Sequence, residues 1–341
     1  MKHKILTYAT AALSLASTSH AANLTWDTTV LADAVITDGG GTWTTGAGNW
    51  NDGSTSVGIN WADGDKAIFG GGTEGTAGTV TLGSDITTAN VTNGLDFTAP
   101  NAGTYALDLN GFNLTTGGDA AQRMIVRSGG AVEINDSVGT GAYLTSVEGN
   151  THFASLSSTL TINAKVTDAD GTGTGTNGAM FITGAGGLTL TNALNDFTGR
   201  VGKQNGGNLT LTSIANSGVA SAAGAGDTVY IAFNAQLNYT GDGDSTDRTF
   251  QFGGTSGGTI KNTGTGALIW TGAFSNTTSG TGTRTLNFRG GNTDGNDFQG
   301  ALVDNGTATL EITKNDAGTW MLSGANTYTG ATNVTNGTLI A

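Results

Sequence analysis

Short bursts in which apolar residues alternate with small polar ones constrain this chain more than any other feature. Tyr105, Leu107 and Leu109 alternate this way, as do Leu160 and Ile162, Leu188 and Leu190, and Leu209 and Leu211. The same holds for Phe250 and Phe252, Leu286 and Phe288, and Leu310 and Ile312. A period of two sends apolar and polar side chains to opposite faces of a pleated strand. Clusters of Gly, Asn, Asp, Ser and Thr, all turn formers, separate the bursts. No segment beyond the N-terminus sustains a helical period, and residues 215–225, though rich in small side chains, suit a loop. The chain holds 58 Gly and a single proline, Pro100, so a flexible Gly-rich linker is the competing reading. It fails because the apolar residues are grouped, and grouped alternation can bury a face.

The spacing of the bursts points to a repeat. Those starting at Leu188, Leu209, Val229, Phe250, Leu268, Leu286 and Leu310 are separated by about twenty residues each, a length suited to one coil of a parallel β-solenoid. Coils stack at strand spacing, inward side chains form ladders, and each coil covers its neighbour. Leu237 and Tyr239 fall between the chosen bursts. The expectation is a right-handed parallel β-helix. Roughly 14 coils of 22 residues would make a rod of about 65 Å.

A second repeat is more specific. Asn195, Phe197 and Gly199, then Asn296, Phe298 and Gly300, then Asn326, Tyr328 and Gly330 share the form Asn-x-aromatic-x-Gly. Asn tolerates a left-handed turn and bonds its own backbone. The ring is expected to close the core over that turn, and Gly to allow a tight bend.

The N-terminus reads as a secretory signal peptide spanning residues 1–21. Lys2, His3 and Lys4 precede an apolar stretch, Ile5 to Ala16, too short to span a bilayer, and Ser19-His20-Ala21 is a small-x-small site with cleavage after Ala21. Cleavage moves the formal net charge from −13 to −15, because Lys2 and Lys4 leave and no acid does. Such a chain avoids nucleic acid and anionic lipid. It has no cysteine, so neither disulfides nor thiolate chemistry is available.

Residues 22–75 hold four of the six tryptophans, Trp26, Trp43, Trp50 and Trp61, and are less regular. They read as a Trp-rich cap with the first coils, since an open solenoid end would expose apolar ladders and unpaired backbone. The functional alternative is a sugar-binding platform. Residues 76–341 form the solenoid proper.

Residues 312–339 carry a resemblance. Ile312-Thr-Lys314, Gly318-Thr-Trp320, Leu322, the run Gly324-Ala-Asn326-Thr-Tyr328-Thr-Gly330 and Asn336-Gly337-Thr338-Leu339 resemble the autotransporter-associated β-strand repeat, or passenger-associated transport repeat, family. That repeat runs Lys-x-Gly-x-Gly-Thr-Leu, an alternating strand, a Gly-Ala-Asn-Thr-Tyr-Thr-Gly turn and a closing Gly-Thr-Leu. Here Asn315 and Asp316 stand where Gly or Ser is usual, and Trp320 replaces Leu. Residues 185–211 resemble a degenerate second copy, in which Leu194 inserts one position before Asn195. Residues 246–272 are similar to segments linking such repeats. The resemblance implies a right-handed β-helical passenger exported to the surface or medium of a cell with a Gram-negative-type envelope. Many members end in a barrel or a sorting tail, so the expectation is a fragment truncated at its C-terminus.

Catalytic motifs are sparse. Beyond the signal peptide only His152 remains among the histidines, which excludes a His-rich zinc site, and nothing near it resembles a nucleophile elbow. Acid clusters are the remaining chemistry. Asp242, Asp244 and Asp247 beside Arg248, Asp168 with Asp170, and Asp294 with Asn296 and Asp297 are candidates for structural calcium, or simply solvated turns. No other cofactor is expected. The leading reading is a secreted or surface-exposed, non-enzymatic protein with a structural, display or adhesive role toward extracellular glycans or other surface components. The alternative is a polysaccharide-binding or lyase-like β-helix.

Overall fold

The computed structural model describes residues 22–29, 35–54, 58–88, 94–116, 124–126, 130–139, 141–146, 152–168, 180–278 and 280–341. The signal peptide, its cleavage site after Ala21, and Asp170 lie outside the described residues. Among those described there is no helix, and the strands form sheets of twelve, eleven, five, four and two members. Every strand pairing is parallel except that of Asn23–Trp26 with Trp50–Asn51.

The chain visits the sheets in turn. In most coils it passes from the twelve-stranded sheet to the four- or five-stranded side sheet, then to the eleven-stranded sheet, and back one strand further along. After Leu188–Leu190 and Asn208–Leu211 it goes straight to the eleven-stranded sheet, and from Gly282–Arg289 onward it alternates between the twelve- and five-stranded sheets. Parallel neighbours therefore come from successive turns of chain. Val80, Leu107, Ile134, Ile162, Leu190, Leu211 and Tyr239 stand in one register column, and all are buried to 1% exposure or less. Val132, Leu160, Leu188, Leu209, Leu237 and Ile260 form a second. The alternation in sequence thus makes inward ladders of branched aliphatics. Truncating one member, Leu211→Ala, removes buried methyl groups between two fixed neighbours. We expect it to lower unfolding stability by about 2–5 kcal/mol in a denaturant titration.

The register corrects the repeat length. The column from Val80 to Tyr239 advances by 27, 27, 28, 28, 21 and 28 residues. The twenty-residue spacing holds for the steps from Leu188 to Leu209 and from Val229 to Phe250, which pair directly, but most of the other intervals run between different sheets. Leu188 and Leu209 lie in the twelve-stranded sheet, Val229 and Phe250 in the eleven-stranded one, and Leu268 in the five-stranded one. Leu237 and Tyr239, left between bursts, pair directly with Leu209 and Leu211. Longer coils mean fewer of them: twelve stacked strands span about 53 Å, not 65 Å.

All four N-terminal tryptophans are buried. Trp43 and Trp61 meet edge to face with centroids 4.9 Å apart, Trp26 and Trp50 at 5.2 Å, and Phe69 packs on Trp43 at 5.5 Å. Rings enclosed this way offer no open face for stacking on a sugar, which overturns the platform reading. Trp50–Asn51, paired antiparallel, is the outermost strand of the eleven-stranded sheet at that end.

Candidate functional site

The Asn-x-aromatic-x-Gly positions join one coil to the next. Asn195, Asn296 and Asn326 do not take a left-handed conformation, which falls instead on Asn110, Asn205, Phe233, Asn234 and Asp316 among non-glycine residues. Each carboxamide oxygen accepts from a backbone N–H of the preceding coil, that of Val166 at 2.8 Å, Leu268 at 2.9 Å and Leu302 at 2.9 Å. Asn195 and Asn296 also donate forward, to the Ala222 and Thr319 carbonyls. Burial explains the difference from expectation: a fully buried amide must satisfy both ends, and the nearest unpaired groups belong to neighbouring coils.

The rings behave likewise. Phe298 sits inside the core against Phe288, Phe250 and Trp270 at 5.7–6.2 Å rather than closing an end. Gly300 has no left-handed φ. A Cβ there would come within 2.7 Å of the Gly272 carbonyl oxygen, so glycine is required by the closeness of the coil beneath.

The acids that suggested calcium are engaged in the same work. Asp244 accepts from the Ile214 amide at 2.9 Å and the Tyr239 hydroxyl at 2.9 Å, while Asp247 accepts from the Ser217 amide at 2.7 Å. Asp242 is exposed. Asp168 holds the amide and hydroxyl of Thr198, and Asp297 the hydroxyl of Ser323 at 2.8 Å. Asp294 accepts from the Asn292 carboxamide. Among the described residues no three His, Cys, Asp or Glu side chains gather so that they could hold a metal ion.

Two further clips follow the same pattern, Asp108 on the amide and hydroxyl of Ser137 and Asp304 on those of Thr329. The Leu310 amide holds the Asp304 carboxyl below the usual carboxylate value against burial, with the Thr329 hydroxyl and amide adding to it. At Asp108 burial acts upward, but the Ser137 hydroxyl and amide outweigh it and the net direction is down. Asp316 is lowered by the Gly290 amide and by Arg289. In each case the folded carboxyl binds its proton less readily than the unfolded one. The stabilisation is therefore present above about pH 4 and is lost as pH falls through the lowered folded value. Thermal melts should show a drop as pH falls below about 4 that Asp304→Asn makes shallower. An unchanged profile would contradict the role of the clips.

Three cations that the sequence reading did not single out as buried are fully enclosed: Lys203, Lys314 and Arg248. Lys203 occupies an inward position between Ile182 and Ile231. Its ammonium donates to the carbonyls of Gly184, Gln204 and Gly206, and burial pulls it down to about 8. Lys314 does the same with Asn315, Asp316 and Asn336. In both turns the second residue after the lysine, Asn205 or Asp316, is left-handed, which aims the carbonyls at one point. The sequence signal was Lys-x-(Asn/Asp) at the end of an alternating burst.

Arg248 anchors a loop. Residues 212–227 leave the stack between Asn208–Leu211 and Thr228–Ala232. The guanidinium donates to the carbonyls of Ala215 at 2.8 Å, Gly224 at 2.7 Å, Val219 at 3.2 Å, Ala223 at 3.3 Å, Asn216 at 3.5 Å and Gly226, and to the Ser221 hydroxyl at 3.4 Å. Burial lowers its affinity for the proton, to about 10, against the pull of Asp247 and Asp227. It stays charged at neutral pH. Its tip, residues 216–220, is exposed.

This is the anatomy of an all-β protein whose strands stack in parallel and whose polar side chains tie successive coils together. Residues 312–341 match the passenger-associated-transport-repeat family, so the chain carries that repeat where its turn sequence resembles it. An adhesin, the BmaC autotransporter of Brucella suis biovar 1 (strain 1330), is 38% identical over 137 residues, covering 38% of this chain and 4% of the relative. The chain thus spans a small fraction of the length of that relative. No solved structure matches.

Proposed function

We propose that this chain is an adhesin-like passenger segment, exported through an N-terminal signal peptide and displayed at the surface of a Gram-negative-type cell. Its role on this reading is structural and adhesive rather than enzymatic. The strands form a right-handed parallel β-helix over residues 76–341, and residues 22–75 cap it with their tryptophan cluster. The observation that carries the reading is continuity. The parallel register runs into the matched repeat, where Ile312 pairs with Thr332 and Lys314 with Val334, and the similarity to an adhesin supports the same conclusion. Its partners are extracellular glycans or other surface components.

The test is display. Fused to an outer-membrane β-barrel and expressed on a non-adherent bacterium, residues 22–341 should raise attachment to epithelial cells or to glycoprotein-coated glass under flow. Attachment equal to that of the barrel alone, with the chain demonstrably on the surface, would overturn the adhesive role.

A further inference from the structure

A notch crosses three successive coils where the twelve-stranded sheet turns toward the side sheet. Its origin is unequal turn length. Residues 136–142 join Val132–Asn135 to Tyr143–Ser146, only residues 163–164 join Leu160–Ile162 to Lys165–Val166, and residues 191–200 follow Leu188–Leu190 before Val201–Lys203. A short turn between two long ones leaves a gap. The cleft is small and open, with a volume of about 100 Å³, and is lined by Asp136, Ala142, Asn163, Lys165, Asn192 and Leu194.

Its chemistry is two-sided. Leu194 is the residue inserted ahead of Asn195 in the degenerate repeat, and it is 67% exposed. It is one of the five large apolar side chains left in solvent among the described residues. The floor is polar and held in place. Asn163 donates to Asn135 at 2.7 Å and accepts from Thr191 at 2.6 Å, Asn192 donates to the Asn163 carbonyl, and Lys165 pairs with Asp196 at 2.6 Å. Asp136 accepts from the Gly111 amide. Fixed carboxamides, a carboxylate and an ammonium beside an apolar lip match a ligand with a C–H face and a hydroxyl edge.

We propose that this notch binds one unit of an uncharged pyranose glycan by its edge, Leu194 packing on the ring face while Asp136, Asn163, Lys165 and Asn192 meet the hydroxyls. The proposal rests on the adhesive reading above and names the ligand class. Pairing of Lys165 with Asp196 leaves the site without free positive charge, and with Asp136 it disfavours uronic acids and sialic acids.

Residues 22–341 should be applied to immobilised neutral oligosaccharides of glucose, galactose, mannose and N-acetylglucosamine, with polygalacturonate and sialyllactose alongside. Retention on at least one neutral glycan, and not on the anionic ones, is expected. Leu194→Ser changes an exposed side chain and leaves the fold intact, so its melting temperature should match the parent while glycan affinity falls about tenfold. Lys165→Met should also weaken binding, whereas Val219→Ser on the remote loop should not. No retention of any neutral glycan, or retention unaffected by Leu194→Ser, would overturn the site. Attachment of displaying cells that survives Leu194→Ser would sink the notch alone and leave the adhesive reading standing.

Discussion

Replacing Arg248 by Met should cost about 4 kcal/mol or more of stability and release the loop it fills. The side chain meets six backbone carbonyls and one hydroxyl with no exposed surface. Hydrogen bonds to a buried charge contribute about 1.5–3 kcal/mol each in isolation. Removing such a partner leaves the remaining groups desolvated, at about 3–5 kcal/mol for a broken buried pair. Met fills much of the space, so the loss reports the bonds rather than a void. The carbonyls have one escape: residues 214–226 can open and take water. The measurement is therefore double, a urea titration and amide hydrogen exchange across 214–226, with protease cleavage at residues 216–220 as a third readout. Arg248→Lys, which keeps the charge but not the planar fork, should fall between. A Met variant within about 0.5 kcal/mol of the parent, with the loop still protected, would refute the anchoring role.

Asn296→Ala should be nearly as damaging, at about 3–5 kcal/mol. The side chain accepts from the Leu268 amide and the Asn262 carboxamide and donates to the Thr319 and Asn292 carbonyls. Its loss strands groups on three coils, each unpaired buried group costing about 1–3 kcal/mol. The partly exposed Asn326, also a clip, sets the comparison. Asn326→Ala should cost visibly less, because the Asn326 side chain is itself partly exposed and water can take its place. Equal losses at the two sites would mean that the inter-coil bonds carry little of the effect.

The strands were legible because alternation between Leu188 and Leu190, or Leu209 and Leu211, leaves one face for the core. The repeat length was not. Between Val80 and Tyr239 successive coils differ by up to seven residues, and bursts on different sheets look alike in a linear reading. Asn195 and Asn296 were found as repeated positions, but their work was assigned to local turns. Their partners lie 23 to 29 residues away, at Val166, Ala222, Leu268 and Thr319, a separation no single-turn rule examines. The acids near Arg248 misled for a related reason. Asp244 and Asp247 are close in sequence, yet each faces an amide of the coil beneath, at Ile214 and Ser217. A search for Asp followed 25 to 30 residues later by Ser or Thr would have found the clips at Asp108, Asp168, Asp297 and Asp304. Only the inserted Leu194 marks the notch in local sequence, because the gap itself comes from the difference between three turns.

The direction of the interstrand bonds sets how the molecule answers to tension. In a stack built from successive turns of chain, the bonds between coils lie along the long axis, so a pull on the two ends loads them one rung at a time, as in opening a zipper. Each coil that peels away frees roughly 27 residues, about 90 Å of contour at full extension, whereas the same coil adds about 4.8 Å to the folded rod. Tethered between two surfaces, the protein would lengthen stepwise and dissipate work while the coils not yet opened kept their shape.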